Sequence, residues 1–140
     1  MSPDFSYALT PFAAWVVAGS LKFAVNSVRA RRLAFGLIGY GGLPSNHSAI
    51  VSSMTALVGL KEGIGHPAFG VALTLAFIVI LDATSLRRAV GRQAAALNRL
   101  SAGVADHQPL RERMGHTRVE VLAGVVVGIG VAMAARALLR

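Results

Sequence analysis

The 140-residue chain has no cysteine, which excludes disulfides, thiolate metal sites and cysteine nucleophiles together. Charge is also scarce. Charged residues make up 14% of the chain against 54% hydrophobic, a balance far from that of a soluble domain and one that makes a bilayer the natural solvent. Acids are scarcer than bases: six Asp and Glu stand against fourteen Lys and Arg, for a formal net charge of +8. Because the basic residues lie between long apolar runs and only 6% of the chain is aromatic, the expected partner is a membrane surface or anionic lipid and not nucleic acid. Met1-Ser2-Pro3-Asp4 carries no basic run, so no cleaved signal peptide is expected and the first apolar segment is expected to stay. With no internal repeat or low-complexity linker, one membrane-embedded domain over residues 1–140 is expected.

What is present is a series of apolar segments broken by ordered polar residues. Ala8 to Val28 is long enough to cross a bilayer as a helix. Lys22, Asn26 and Arg29 follow at i, i+4 and i+7 and therefore share one helical face, which would be costly against lipid. That face looks into a bundle or wet cavity, or else Lys22 snorkels to the headgroups. Leu33 to Leu43 is too short and glycine-rich for a span and reads as a short or re-entrant segment. Ser48 to Leu60 is a marginal span carrying Ser52, Ser53, Thr55 and Gly59, small residues suited to close packing away from lipid. Ala68 to Leu81 is the most uniformly apolar segment, and Asp82 is expected to end it. Leu86 to Leu100 interleaves arginines with alanine and leucine as an amphipathic interfacial helix. Ser101 to Pro109 is a loop, and Val119 to Leu139 is the last span. The fold class is thus an all-α integral membrane bundle of about four membrane helices with short interfacial or re-entrant helices.

Arginine placement gives that bundle an orientation. Arg29, Arg31 and Arg32, the arginines from Arg87 to Arg99, and Arg111, Arg113 and Arg118 fall on one side; Lys61, Arg136 and Arg140 fall on the other. The positive-inside rule makes the rich side cytoplasmic, although a phosphate site would collect arginines as well.

Two stretches carry chemistry. Gly41-Gly42-Leu43-Pro44-Ser45-Asn46-His47-Ser48 is a polar turn between apolar runs. Its glycines permit close approach of a ligand, and Ser45 or Asn46 near a helix start would favour an anion, or would simply cap the helix. In Gly115-His116-Thr117-Arg118-Val119-Glu120, His116 and Glu120 are i and i+4. On a helix the carboxylate can then reach one imidazole nitrogen and leave the other free to attack, as in a prepared histidine nucleophile; the alternative is an exposed ion pair. Steps of four from Glu120 reach Gly124 and Gly128, a small-residue stripe suited to another helix or to a homo-oligomer contact. His66 and His107 read as surface residues. No histidine pair has convincing metal-ligand spacing, so neither metal nor cofactor is expected.

Lys22 with Arg29 seven residues on, then Pro44-Ser45-Asn46-His47, then His116 with Glu120, resembles the three-part signature of the type-2 phosphatidic acid phosphatase superfamily. The layout looks like its small divergent bacterial and plant branch, the acid phosphatase/vanadium-dependent haloperoxidase-related proteins. The likeness runs from about Ala14 to Gly128 and includes Asp82-Ala83-Thr84-Ser85-Leu86-Arg87-Arg88 and Gly91-Arg92-Gln93-Ala94.

The resemblance implies a metal-independent phosphatase acting on a lipid or isoprenoid phosphate or diphosphate. In it, His116 would form a phosphohistidine, Glu120 would orient it, and His47 would protonate the leaving oxygen. Lys22, Arg29 or Arg31, Ser45 and Asn46 would hold the phosphate. Three departures stand out. Asn46 replaces the family's glycine, Ala30 stands where proline follows the arginine, and the Ser-Arg pair ahead of the nucleophile is absent, Leu110 occupying the position six before His116. Arg87 and Arg88 are favoured over Arg111 and Arg113 as the missing cation. The location expected is integral to a bacterial inner membrane or an organelle membrane, with the site facing the cytoplasm on the arginine distribution. The rival from another class is a non-catalytic membrane protein using the same pocket for an anionic headgroup or a partner.

Overall fold

Local capping explains where the helices begin. A computed structural model of the chain describes residues 4–33, 42–103 and 108–139. Helix α1 spans Ser6–Ala30 and ends on Arg31 in the left-handed conformation, φ 51°. Helix α2 spans Asn46–Lys61, with Ser45 as its N-cap accepting from the Ser48 N–H. Helix α3 spans Pro67–Leu81, with proline in its first turn, where no donor is lost, and His66 accepting from Ala68 N–H. His66 is thus a cap. Helix α4 spans Arg87–Leu100 and α5 spans Arg118–Leu138. Most of the expected segment 33–43, and His107, lie outside the described residues.

Asp82 does not end the third span. Residues Asp82–Leu86 form a π turn, and Pro67–Leu100 run on as one helix of 34 residues. In a π turn, residues five apart come into line. The Arg87 N–H donates to the Asp82 carbonyl, and Arg87 Nε lies 2.7 Å from Asp82 Oδ2. The acid that looked like a stop is neutralised from within the helix.

Packing is inverted relative to a soluble protein. The buried stripe of α1 is Ser6, Thr10, Ala14 and Ala18; that of α5 is Gly124, Gly128 and Ala132; α3 buries Ala72 and Ala76. Among the described residues Leu57 is the one fully buried side chain of leucine size, while Phe12, Val71, Phe77, Ile78 and Leu122 are more than half exposed. Small residues let helix backbones approach, and the large apolar exterior belongs in acyl chains. Helices α1, α3–α4 and α5 are long and apolar enough to cross a membrane. The sixteen residues of α2 rise only about 24 Å. They are the most buried of the chain, as its serine-rich sequence led us to expect.

Helix α2 packs against α1, α3 and α5. At Gly124 an added Cβ would lie 2.4 Å from the Ser45 carbonyl oxygen; at Gly128 it would lie 2.2 Å from Ser52 Oγ and 2.4 Å from the Ala49 carbonyl oxygen. The Gly124/Gly128 face, suited by sequence to another helix or to a homo-oligomer contact, is filled by the chain's own α2. The advancing register also makes α2 and α5 parallel, both starting at one end of the bundle. Helix α1 runs against them: Gly19 lies by Asn46, and at the far end Lys61 Nζ bonds Asp4 (2.7 Å) and Ser6 (2.8 Å), while Tyr7 donates to the Glu62 carboxylate.

Gly128→Ala must push α2 backbone aside and should cost about 1–3 kcal/mol, read as a lowered unfolding midpoint in detergent. Gly130→Ala, with nothing within 4 Å of the new Cβ, should be neutral or stabilising by about 0.5–1 kcal/mol. Equal midpoints for the two variants would refute the α2–α5 register.

Candidate active site

Two polypeptide segments deliver the histidines to the shared start of α2 and α5. The first is the turn before α2, where Gly42 adopts φ +146° and packs so closely on Asn26 of α1 that a Cβ would lie 3.2 Å from Asn26 Oδ1. Ser45 is fully buried, its N–H donates to the Glu120 carbonyl of α5 (2.9 Å), and its Oγ accepts from Ser48 Oγ (3.0 Å). His47 then sits in the first turn of α2, at the bundle's surface.

The second segment is a strap, residues 108–117, laid over α4. Asn98 holds Leu110 through both backbone groups, at 2.9 and 2.8 Å, and also bonds the Glu112 carboxylate. Gly91 of α4 receives the strap so closely that a Cβ there would lie 2.3 Å from the Glu112 carbonyl oxygen. Gly115 turns the chain at φ +83°, and a Cβ there would meet Arg88 Cγ at 2.7 Å. His116 is then pinned on both backbone sides. Its N–H donates to the Ala83 carbonyl of the π turn (2.9 Å), and its carbonyl accepts from Arg88 Nη2 (2.7 Å). A π turn departs from the regular i+4 ladder, and here one of its carbonyls serves an outside donor.

The two imidazoles come together at the bundle surface. The ring centroids of His47 and His116 are 6.2 Å apart and their planes are inclined at 75°. His116 is 8% exposed, and its Nδ1 is buried without a hydrogen-bond partner among the described residues. Burial pushes the His116 pKa below its ordinary 6.5; nearby Lys22 pushes the same way, Glu120 opposes it, and His47 and Arg87 add to the depression. The ring is therefore neutral, and so nucleophilic, at neutral pH. The same interactions group Lys22 of α1 and Arg87 with the histidine pair.

Other expected site residues are placed differently. His116 precedes α5, whose N-cap is Thr117, so the i, i+4 helical geometry expected for His116 and Glu120 does not apply. Glu120 Oε2 instead accepts from Thr117 N–H (2.9 Å), while Thr117 Oγ1 accepts from Glu120 N–H (3.2 Å), forming a capping box. Its carboxylate acts on His116 through space and not as a hydrogen-bonded orienter. Arg88 turns to the His116 carbonyl. Arg29 and Arg31 are exposed at the end of α1, Arg29 about 10 Å along the axis from Lys22. Asn46 is half-buried by Gly19, with its Oδ1 unpartnered among the described residues. Thr117 and Asn98 are supports that the sequence alone does not single out, although Thr117-Arg118-Val119-Glu120 carries a legible T-x-x-E capping signature; Asp82 is the arginine partner that its place beside Arg87 and Arg88 suggests.

The family model described as the divergent PAP2 family matches residues 6–131. The uncharacterized membrane protein YuiD of Bacillus subtilis (strain 168) is 31% identical, the alignment covering 86% of this chain and 87% of that protein. No solved structure gives a significant match.

Histidine NMR on labelled protein in nanodiscs should find His116 titrating below 6.5. Lys22→Met should raise that pKa and Glu120→Gln should lower it further. Because the folded ring binds its proton more weakly than the unfolded one, this group removes stability as pH falls below 6.5. A His116 titration at or above 6.5, unmoved by either variant, would contradict this electrostatic grouping.

Proposed function

The chain belongs to the divergent PAP2 family, and from that premise we propose that it is a metal-independent phosphohydrolase acting on a lipid or isoprenoid phosphate or diphosphate at the membrane interface. The observation that carries this reading is the meeting of His47 and His116, 6.2 Å apart, on an apolar helical scaffold. At that ring separation one phosphate group can meet a nucleophilic imidazole with its phosphorus and an acid imidazole with its leaving oxygen.

In the proposed reaction the buried Nδ1 leaves Nε2 of His116 to attack phosphorus. The P–N bond forms as the P–O bond to the leaving group breaks, and His47 gives its proton to the departing oxygen. Water then attacks the phosphohistidine while His47 takes up a proton; the P–N bond breaks, releasing inorganic phosphate and restoring both rings. Lys22 and Arg87 neutralise the equatorial oxygens, the main demand of phosphoryl transfer. The first-turn N–H groups of Asn46 and His47 serve as donors, since Ser45 Oγ already takes that of Ser48. Glu120 stabilises the cationic phosphohistidine through space.

A second reading, a non-catalytic binder of anionic headgroups in the same pocket, is favoured by the engagement of Glu120 in its capping box and the unpartnered His116 Nδ1. Phosphate release from a panel of lipid and isoprenoid phosphates, without divalent metal, separates the two. On the phosphatase reading, His116→Ala falls to background. His47→Ala loses about 10²- to 10⁴-fold with poor leaving groups and regains most of it with a nitrophenyl phosphate, whose leaving group needs no proton. Headgroup binding without turnover across the panel would establish the binder instead.

The site is further proposed to face the cytoplasm, on the arginine distribution. Because the chain has no native cysteine, a single Gln108→Cys or Gly65→Cys reports sidedness directly. An impermeant maleimide should label position 108 from the cytoplasmic side and position 65 from the opposite side. The reverse pattern would invert the orientation.

A further inference from the structure

A second polar feature lies on another side of the strap. A groove of about 540 Å³ runs between the α3–α4 helix and α5, lined by Ile80, Thr84, Arg88, Arg118, Leu122 and Val125 among others. Neither histidine lines it. Its charges are gathered at one end: Val125 lies seven residues along α5 from Arg118, and Ile80 eight residues before Arg88, so the apolar walls extend about 10–12 Å toward the membrane interior. Leu122 and Val126 on the adjoining α5 surface are more than 60% exposed, as expected of a face turned to acyl chains.

Arg118 is the informative residue. It occupies the first position of α5, where the helix dipole disfavours a cation. It makes no hydrogen bond or ion pair among the described residues, and Arg88, which is engaged with the His116 carbonyl, also lines the groove. Two guanidiniums converging at the polar end of an apolar channel, on a chain of net charge +8, complement a phosphate joined to acyl chains.

We propose that this groove is a binding site for an anionic phospholipid, separate from the histidine pocket, with the headgroup phosphate between Arg88 and Arg118 and an acyl chain along Ile80, Leu122 and Val125. Arg88 also donates to the His116 carbonyl, so an occupant at this site touches the residue that pins the histidine strap.

Native mass spectrometry of the full chain in detergent, titrated with phosphatidylglycerol and with phosphatidylcholine of the same acyl composition, tests this without reference to activity. Phosphatidylglycerol should bind at least about tenfold more tightly, and Arg118→Gln, which removes no hydrogen bond or ion pair among the described residues, should abolish the preference. Leu122→Trp, filling the channel with both arginines intact, should weaken both lipids. The double variant His47→Ala/His116→Ala should keep the preference. Equal binding of the two lipids by the unaltered chain, or a preference that survives Arg118→Gln, overturns the proposal. Loss of the preference in the double histidine variant also overturns it, by assigning the lipid to the other pocket, and so does full displacement of the lipid by glycerol phosphate, which has no acyl chain.

Discussion

Helices α2 and α5 start at the same end of the bundle and approach so closely at Gly124 and Gly128 that no side chain fits between them. The Ser45 N–H bond to the Glu120 carbonyl fixes their register at that end. His47 lies two residues beyond Ser45 and His116 four before Glu120, so this register sets the spacing of the two rings. A methyl group at Gly124 would meet the Ser45 carbonyl and spread the turn that carries His47 away from the strap that carries His116. Such contacts suit a membrane protein, in which apolar burial gives little drive for helix association and close van der Waals approach takes its place.

The histidine strap depends on a second device, the π turn at Asp82–Leu86. It brings Asp82 alongside Arg87 and supplies the Ala83 carbonyl to His116 N–H, while Arg88 closes on the carbonyl of the same residue. Neighbouring arginines thereby divide: Arg87 contributes charge to the histidine site and Arg88 holds the strap. This gives a physical account of how a chain without the Ser-Arg pair ahead of its histidine places cations there, drawing them from the preceding helix.

Several features were legible in the residues themselves. The long apolar runs 8–28, 68–81 and 119–139 emerge as helices within one or two residues at most of their ends, because an uninterrupted apolar helix needs no partner to specify it in a bilayer. The small and hydroxylated residues of 48–60 anticipated a helix buried among others, and Ser45 is the cap its side chain suggested. The stretch Gly41 to Ser48 and the pair His47 and His116 stand out by order and spacing. The helical geometry expected for His116 and Glu120 differs in the structure because a four-residue interval has its helical meaning only inside a helix. Thr117 starts α5 one residue after His116, and the capping box claims the carboxylate.

Composition and local periodicity are enough to make a bilayer the solvent of this protein, to form helices from its apolar runs, and to set out its histidines and basic residues. It took the folded chain to bring the rings of positions 47 and 116 together and to fill the glycine stripe from within. The fold also decided that Asp82 continues a helix and that Arg87 and Arg88 face different neighbours. Each of those outcomes rests on close backbone approach and on hydrogen bonds between segments distant along the chain, which no local pattern encodes.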